Sequence, residues 1–143
     1  MSVNGPTSTR AAGAARAVLG VVSLFYLYGA GVHVANMASA TGFDWGGSPL
    51  RWRLLDVIYL VVDLLVAAGL FRVWRPSVVG FFAAALSQIV LYTVGRSWIL
   101  DVPQQFTRSP EEVAYLDTLV GFHLVTVVLV GGALWVLRRS GSS

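Results

Sequence analysis

Apolar residues fill this chain in four long blocks, at about 17–38, 54–73, 77–100 and 110–137, and the few polar residues inside each block recur at helical spacing. Each block is close to the twenty or so residues a helix needs to cross a hydrocarbon core of roughly 30 Å. The pattern therefore predicts an all-α fold, an integral membrane four-helix bundle over residues 16–139. Residues 1–15, rich in Ser, Gly, Thr and Ala, read as a disordered tail on the cytoplasmic side.

Punctuation supports these blocks. Residues 41–53, TGFDWGGSPLRWR, form a Gly-rich loop, and Pro76 marks a tight turn between the second and third blocks. Ser109-Pro110-Glu111-Glu112 places a capping serine, a first-turn proline and a glutamate three residues after the cap, which starts the fourth helix. Small residues Gly29, Gly31 and Ala35, and the pair Gly80 and Ala84, suit close helix approach. Leu27-Tyr28-x-x-Gly31 recurs as Leu91-Tyr92-x-x-Gly95, and Ser48-Pro49 with Leu55-Asp56 recurs as Ser109-Pro110 with Leu116-Asp117. Such a repeat fits a duplicated helical hairpin, in which Asp56 and Asp117 are symmetry mates.

Every block carries a polar stripe. Asp56, Tyr59 and Asp63 share a face of the second helix, as do Gln88, Tyr92 and Arg96 on the third. The first aligns Tyr26, Gly29, His33 and Asn36, and the fourth aligns Tyr115, His123 and Thr126, with Asp117 on another stripe. At about 1.5 Å per residue, His33, Asp56, Arg96 and Asp117 fall roughly 3–8 Å below the outer helix ends, and Asp63, His123, Tyr26 and Gln88 roughly 13–18 Å below. Two tiers follow. In the outer one, Arg96 is expected to pair with Asp56, Asp117 or both, with His33 nearby. In the inner one, Asp63 needs a partner, because a carboxylate at mid-membrane costs at least about 2.5 kcal/mol on insertion scales, and His123 is the best placed to supply it. The outer set reads as an interhelical lock or a functional tier. The inner pair reads as a proton relay, a quinone-binding pair or satisfied polarity.

Composition narrows the chemistry. The 143 residues are 56% hydrophobic and 12% charged, with a mean hydropathy of +0.71, too apolar for an ordinary soluble domain. No cysteine is present, which removes thiol relays, disulfide exchange and Cys-ligated clusters. The net charge of +3 comes from arginines scattered near the ends of apolar runs, a topology signal and no nucleic-acid footprint. Arg10, Arg16, Arg72, Arg75, Arg138 and Arg139 gather on one side, so the positive-inside rule puts both termini in the cytoplasm. Arg108 lies in the opposite loop, where its removal is expected to leave folding unchanged. The first block, followed by Ala38-Ser39-Ala40, also resembles a cleavable secretory signal, but its core exceeds the usual 7–15 residues and a retained helix is favoured. Haem is disfavoured, since His33 and His123 are offset by roughly 7 Å along the bundle, and no Glu-x-x-His motif supports a di-iron site.

Arg16-x-x-x-Gly20, Gly29-x-Gly31-x-His33 and Asp63-x5-Gly69-Leu70-x-Arg72 together resemble the DoxX-like group of small four-helix bacterial membrane proteins. That group usually carries glutamate where Asp63 stands. The resemblance implies a four-helix bundle in a bacterial inner membrane and an association with membrane redox systems, such as the quinone-linked subunit of a thiosulfate-oxidising enzyme. The leading expectation is an accessory or anchor subunit, with protein partners in the membrane or a homo-oligomer, and with quinone as the candidate cofactor. Its alternatives are an oligomeric small-molecule transporter or channel, and a purely structural subunit of a larger complex. No independent catalytic nucleophile is visible.

Overall fold

The computed structural model describes residues 6–141, and among these residues it contains helices and no strand. Helix α1 (Pro6–Met37) leads through a loop to α2 (Leu50–Gly69), which tightens into a 3₁₀ turn at Leu70–Arg72. Helix α3 (Arg75–Tyr92) is followed by a short α4 (Arg96–Leu100), a 3₁₀ turn at Gln104–Phe106, and α5 (Pro110–Gly141). Four segments are long and apolar enough to cross a membrane, Thr9–Met37, Leu50–Arg72, Arg75–Tyr92 and Pro110–Gly141, so the chain is a multi-pass membrane protein. The long helices form a ring in the order α1, α2, α3, α5, each packed on its two antiparallel neighbours. One end of the bundle carries the two long loops. The other carries the helical ends of α1 and α5 and the α2–α3 turn.

The expected tail is shorter than its composition suggests. Residues 6–15 are helical, because Pro6 suits a first helical position and Ala11, Ala12, Ala14 and Ala15 are strong helix formers. Ala15 is buried in the core, so packing rewards the extension; residues 1–5 lie outside the described residues. The third block differs too. It breaks at Thr93–Gly95, where the Thr93 hydroxyl bonds back to the Ile89 carbonyl at 2.7 Å. A Cβ on Gly95 would stand 3.0 Å from the Leu91 carbonyl oxygen, so the close turn needs glycine. The α2–α3 reversal is made by residues 70–74, with Val73 left-handed at φ 57°, while Pro76 sits inside the first turn of α3. At the start of α5 the capping box forms. Ser109 Oγ accepts from the Glu112 amide at 3.2 Å, and Glu112 Oε2 accepts from the Ser109 amide at 2.8 Å.

Packing is uneven along the bundle axis. The half nearer the termini is filled by Leu19, Val66, Leu70, Phe81 and Val130, each fully buried, with small Ala84, Ala85 and Ala133 letting the helices close up. Gly80 gives α3 a tight seat on α2, where a Cβ would lie 3.1 Å from Leu65 Cδ2, and Ser77 Oγ donates to the Leu65 carbonyl at 2.6 Å. The half nearer the loops holds the polar stripes and two cavities. The loops cross above it: Trp52 Nε1 donates to the Ile99 carbonyl at 2.9 Å, and Arg108 lies over Trp52 and Phe43 while bonding Glu112 Oε1 at 2.7 Å. Arg108 thus touches both loops.

Candidate functional site

Helical periodicity turns the polar residues inward at the loop half. On α2, Tyr59, Asp63, Val66 and Gly69 form the buried stripe, and on α5 His123, Thr126, Val130 and Ala133 do the same. Between them and α1 lies a cavity of about 760 Å³ whose walls include Tyr26, His33, Asp63, Gln88 and His123 among apolar residues such as Leu24, Phe25 and Phe122. All four candidates of the inner tier, Asp63, His123, Gln88 and Tyr26, therefore border one space, and His33 joins them.

The pairings differ from the expected ones. Asp63 does not pair with His123: His123 Nε2 lies 2.8 Å from Gln88 Oε1. Asp63 faces His33 instead, Oδ2 to Nε2 at 3.7 Å, and the other nitrogen of that ring lies 2.5 Å from Asp56 Oδ1. One imidazole thus stands between two carboxylates of α2, seven residues apart on one face. Gly29 makes room for this. A Cβ there would stand 2.5 Å from Asp63 Oδ2, so the carboxylate rests against the bare backbone of α1. His33 also stacks on Tyr59, with ring centroids 6.4 Å apart, and the Tyr59 hydroxyl is 3.1 Å from Ser87 Oγ.

In the outer tier, Arg96 pairs with Asp117, as one expected partner, and leaves Asp56 to His33. Break of the third helix explains the choice, because Arg96 belongs to α4 and has swung away from the α3 stripe that holds Gln88 and Tyr92. The Asp117 side chain is 68% exposed, so the pair sits on the rim and not in a buried lock.

Two polar atoms at the inner cavity's border are unsatisfied. Among the described residues, Tyr26 Oη and His123 Nδ1 are buried and have no hydrogen-bond partner. With Gln88 Oε1 accepting from Nε2–H, the His123 Nδ1 lone pair is an acceptor and the Tyr26 hydroxyl a donor. Leaving such groups unmet costs about 1–3 kcal/mol each, so a side-chain turn that brings either atom to the cavity and to a partner there is favoured. The sequence stripes flagged all of these residues; what they lacked was any sign of the unpaired atoms. No group of three or more His, Asp or Glu suited to a metal occurs among the described residues.

Comparison with family models, with curated proteins and with solved structures finds no match for this chain.

Proposed function

We propose that the protein is an accessory subunit of a bacterial membrane redox system, and that its inner cavity holds a quinone-class molecule drawn from the bilayer. The observation that carries this is the unmet donor and acceptor, Tyr26 Oη and His123 Nδ1, beside an apolar and aromatic cavity. About 760 Å³ is within the usual range of roughly 300–1,000 Å³ for small-molecule sites, which combine apolar walls with a few placed polar groups. Its wall residues Leu24, Phe25 and Tyr28 are also on the outer surface of α1, so the space opens sideways toward lipid and leaves room for an isoprenoid tail. With these side chains turned toward the cavity, a quinone carbonyl accepts from the Tyr26 hydroxyl and a quinol hydroxyl donates to His123 Nδ1. The DoxX-like motifs belong to the same reading. The arginine distribution supports a reading with both termini on the cytoplasmic side of an inner membrane. A transport role finds less support, because the half nearer the termini is filled by Leu19, Val66, Phe81 and Val130.

The test is photolabelling of the full chain in nanodiscs with an azidoquinone. Labels are expected on α1 and α5 near Phe25 and Phe122, competed by unlabelled decylubiquinone and lost in Tyr26→Phe/His123→Leu. Uniform labelling of the lipid-facing surface without competition would refute the proposal.

A further inference from the structure

The inner cavity has a neighbour. A second space of about 530 Å³ lies nearer the loops, bordered by Asp56 and, at its mouth, by Arg108, Glu111 and Glu112. His33 borders both spaces. Its Nδ1 addresses the outer carboxylate, Asp56, at 2.5 Å, and its Nε2 the inner one, Asp63, at 3.7 Å. Imidazole is the side chain suited to such a place, since one nitrogen can take a proton while the other releases one. A structural lock needs one carboxylate per histidine. Here there are two, and the rim arginine that could have neutralised one, Arg96, is engaged by Asp117.

We infer that Asp56, His33 and Asp63 form a proton relay that connects the loop end of the bundle to the inner cavity. The step begins with Asp56 protonated, His33 neutral with its proton on Nε2, and Asp63 ionised. Asp56 passes its proton to Nδ1, and Nε2–H passes its own to Asp63 Oδ2. Asp56 is then ionised, Asp63 is a carboxylic acid, and the imidazole is again neutral with the proton on Nδ1, so one proton has moved inward and none is gained or lost. Before a second proton can pass, the N–H must face Asp63 again; a turn about Cβ–Cγ alone exchanges each nitrogen with a carbon, so the reset is a combined reorientation about Cα–Cβ and Cβ–Cγ that presents Nδ1–H to Asp63. Asp56 reloads from the outer space. The 3.7 Å to Asp63 is a separation that a slight rocking of the carboxylate closes.

Tyr92 and Tyr115 also border both spaces, but a phenol takes and releases a proton far less readily near neutral pH than an imidazole does. Around Asp63 the other titratable groups are the phenols of Tyr26 on α1, Tyr59 on α2 and Tyr92 on α3, and His123 on α5, which is turned to Gln88. At the outer mouth, Arg108 and Glu112 bind each other, and Glu111 and Tyr115 flank them. Among the described residues, His33 is the histidine that borders both cavities. The relay is independent of the molecule that fills the inner cavity.

The experiment uses the full chain in liposomes, its insertion sorted by protease access to a C-terminal tag, and dicyclohexylcarbodiimide, which couples to a carboxyl group only when it is protonated. Labelling of Asp63 is read by mass spectrometry under a maintained pH gradient. Raising the pH on the loop side from about 6 to about 8 is expected to lower Asp63 labelling by roughly tenfold, and the same change on the termini side by less than about twofold. In His33→Gln, and in Asp56→Asn, whose amide still hydrogen-bonds the imidazole but has no proton to pass, the loop-side response is expected to fall to the termini-side level. Helical content and a single species on gel filtration show that the variants are folded, and Asp56→Asn decides the matter if His33→Gln does not accumulate. Labelling that follows the termini side, or a folded variant that follows the loop side as wild type does, overturns the relay. No quinone is present in this assay, so its result stands apart from the photolabelling test.

Discussion

Gly29 and Gly31 lie two residues apart on α1, and alanine at the two positions should behave in opposite ways. At Gly31 a new Cβ meets nothing within 4 Å, so only the gain in helix propensity remains, about 0.5–1 kcal/mol. At Gly29 the same methyl would stand 2.5 Å from Asp63 Oδ2 and 3.5 Å from Cγ. To reach ordinary contact at 3.4 Å the oxygen must retreat about 0.9 Å. That retreat is not free, because the Asp63 side chain is only 8% exposed and has little room to turn. Overpacking of this kind typically costs about 1–3 kcal/mol, which outweighs the propensity gain. Unfolding in mixed micelles, followed by circular dichroism, should therefore find Gly29→Ala less stable than Gly31→Ala by about 1–3 kcal/mol. In an Asp63→Ala background the obstacle is gone, and the two glycines should become equivalent. Equal stability of the two alanine variants in the wild-type background would refute the seating of Asp63 on the α1 backbone.

The two loop-end arginines should also separate. Arg96→Ala removes a rim pair with an exposed carboxylate and should change stability by less than about 1 kcal/mol, whereas Arg108→Ala unties Phe43, Trp52 and Glu112 and should speed proteolysis within residues 38–49 and 101–109. Limited digestion of both variants checks this, and similar digestion rates would contradict the tie. Gln88→Leu leaves His123 Nε2–H without its acceptor and should cost about 1–3 kcal/mol, while Gln88→Leu/His123→Leu should cost less than the sum of its single variants, as a double-mutant cycle by the same unfolding assay would show.

Much of the fold was legible because hydrocarbon imposes a simple rule on the chain. Apolar length gave four crossing helices, and the Ser109 capping box marked the start of α5 to the residue. Boundaries failed where local chemistry competes with that rule. Alanines at 11–15 look like a featureless tail by hydropathy, yet they are strong helix formers and Ala15 finds a place in the core. The third block reads as continuous to residue 100 because Val94, Trp98, Ile99 and Leu100 keep hydropathy high, while the backbone turns at Thr93–Gly95 for reasons of hydrogen bonding and space. The contacts of Arg108 were not legible for a related reason, since loop position says nothing about which aromatic faces the folded loops bring over it.

That these polar side chains lie at one end of the bundle was readable as well, but their pairing was not, and the reason is geometrical. Rise per residue orders side chains along the bundle axis, and on that scale Asp63 and His123 share a level while His33 lies roughly one turn higher. Position around the ring is a second coordinate that a depth scale lacks. In the order α1, α2, α3, α5, helix α2 touches α1 and α3, and α5 stands across the diagonal. Neighbouring axes in such bundles are about 8–10 Å apart, so a diagonal is on the order of 11–14 Å and demands nearly full extension of both side chains toward each other. An axial offset of one turn between neighbours is easier to span, and Gly29 shortens it further by letting Asp63 lie against the α1 backbone. Adjacency therefore prevails over depth: α2 gives its carboxylates to His33 of α1, and α5 gives His123 to Gln88 of α3. The same ring order leaves the centre between these two pairs unfilled, which is where the inner cavity lies.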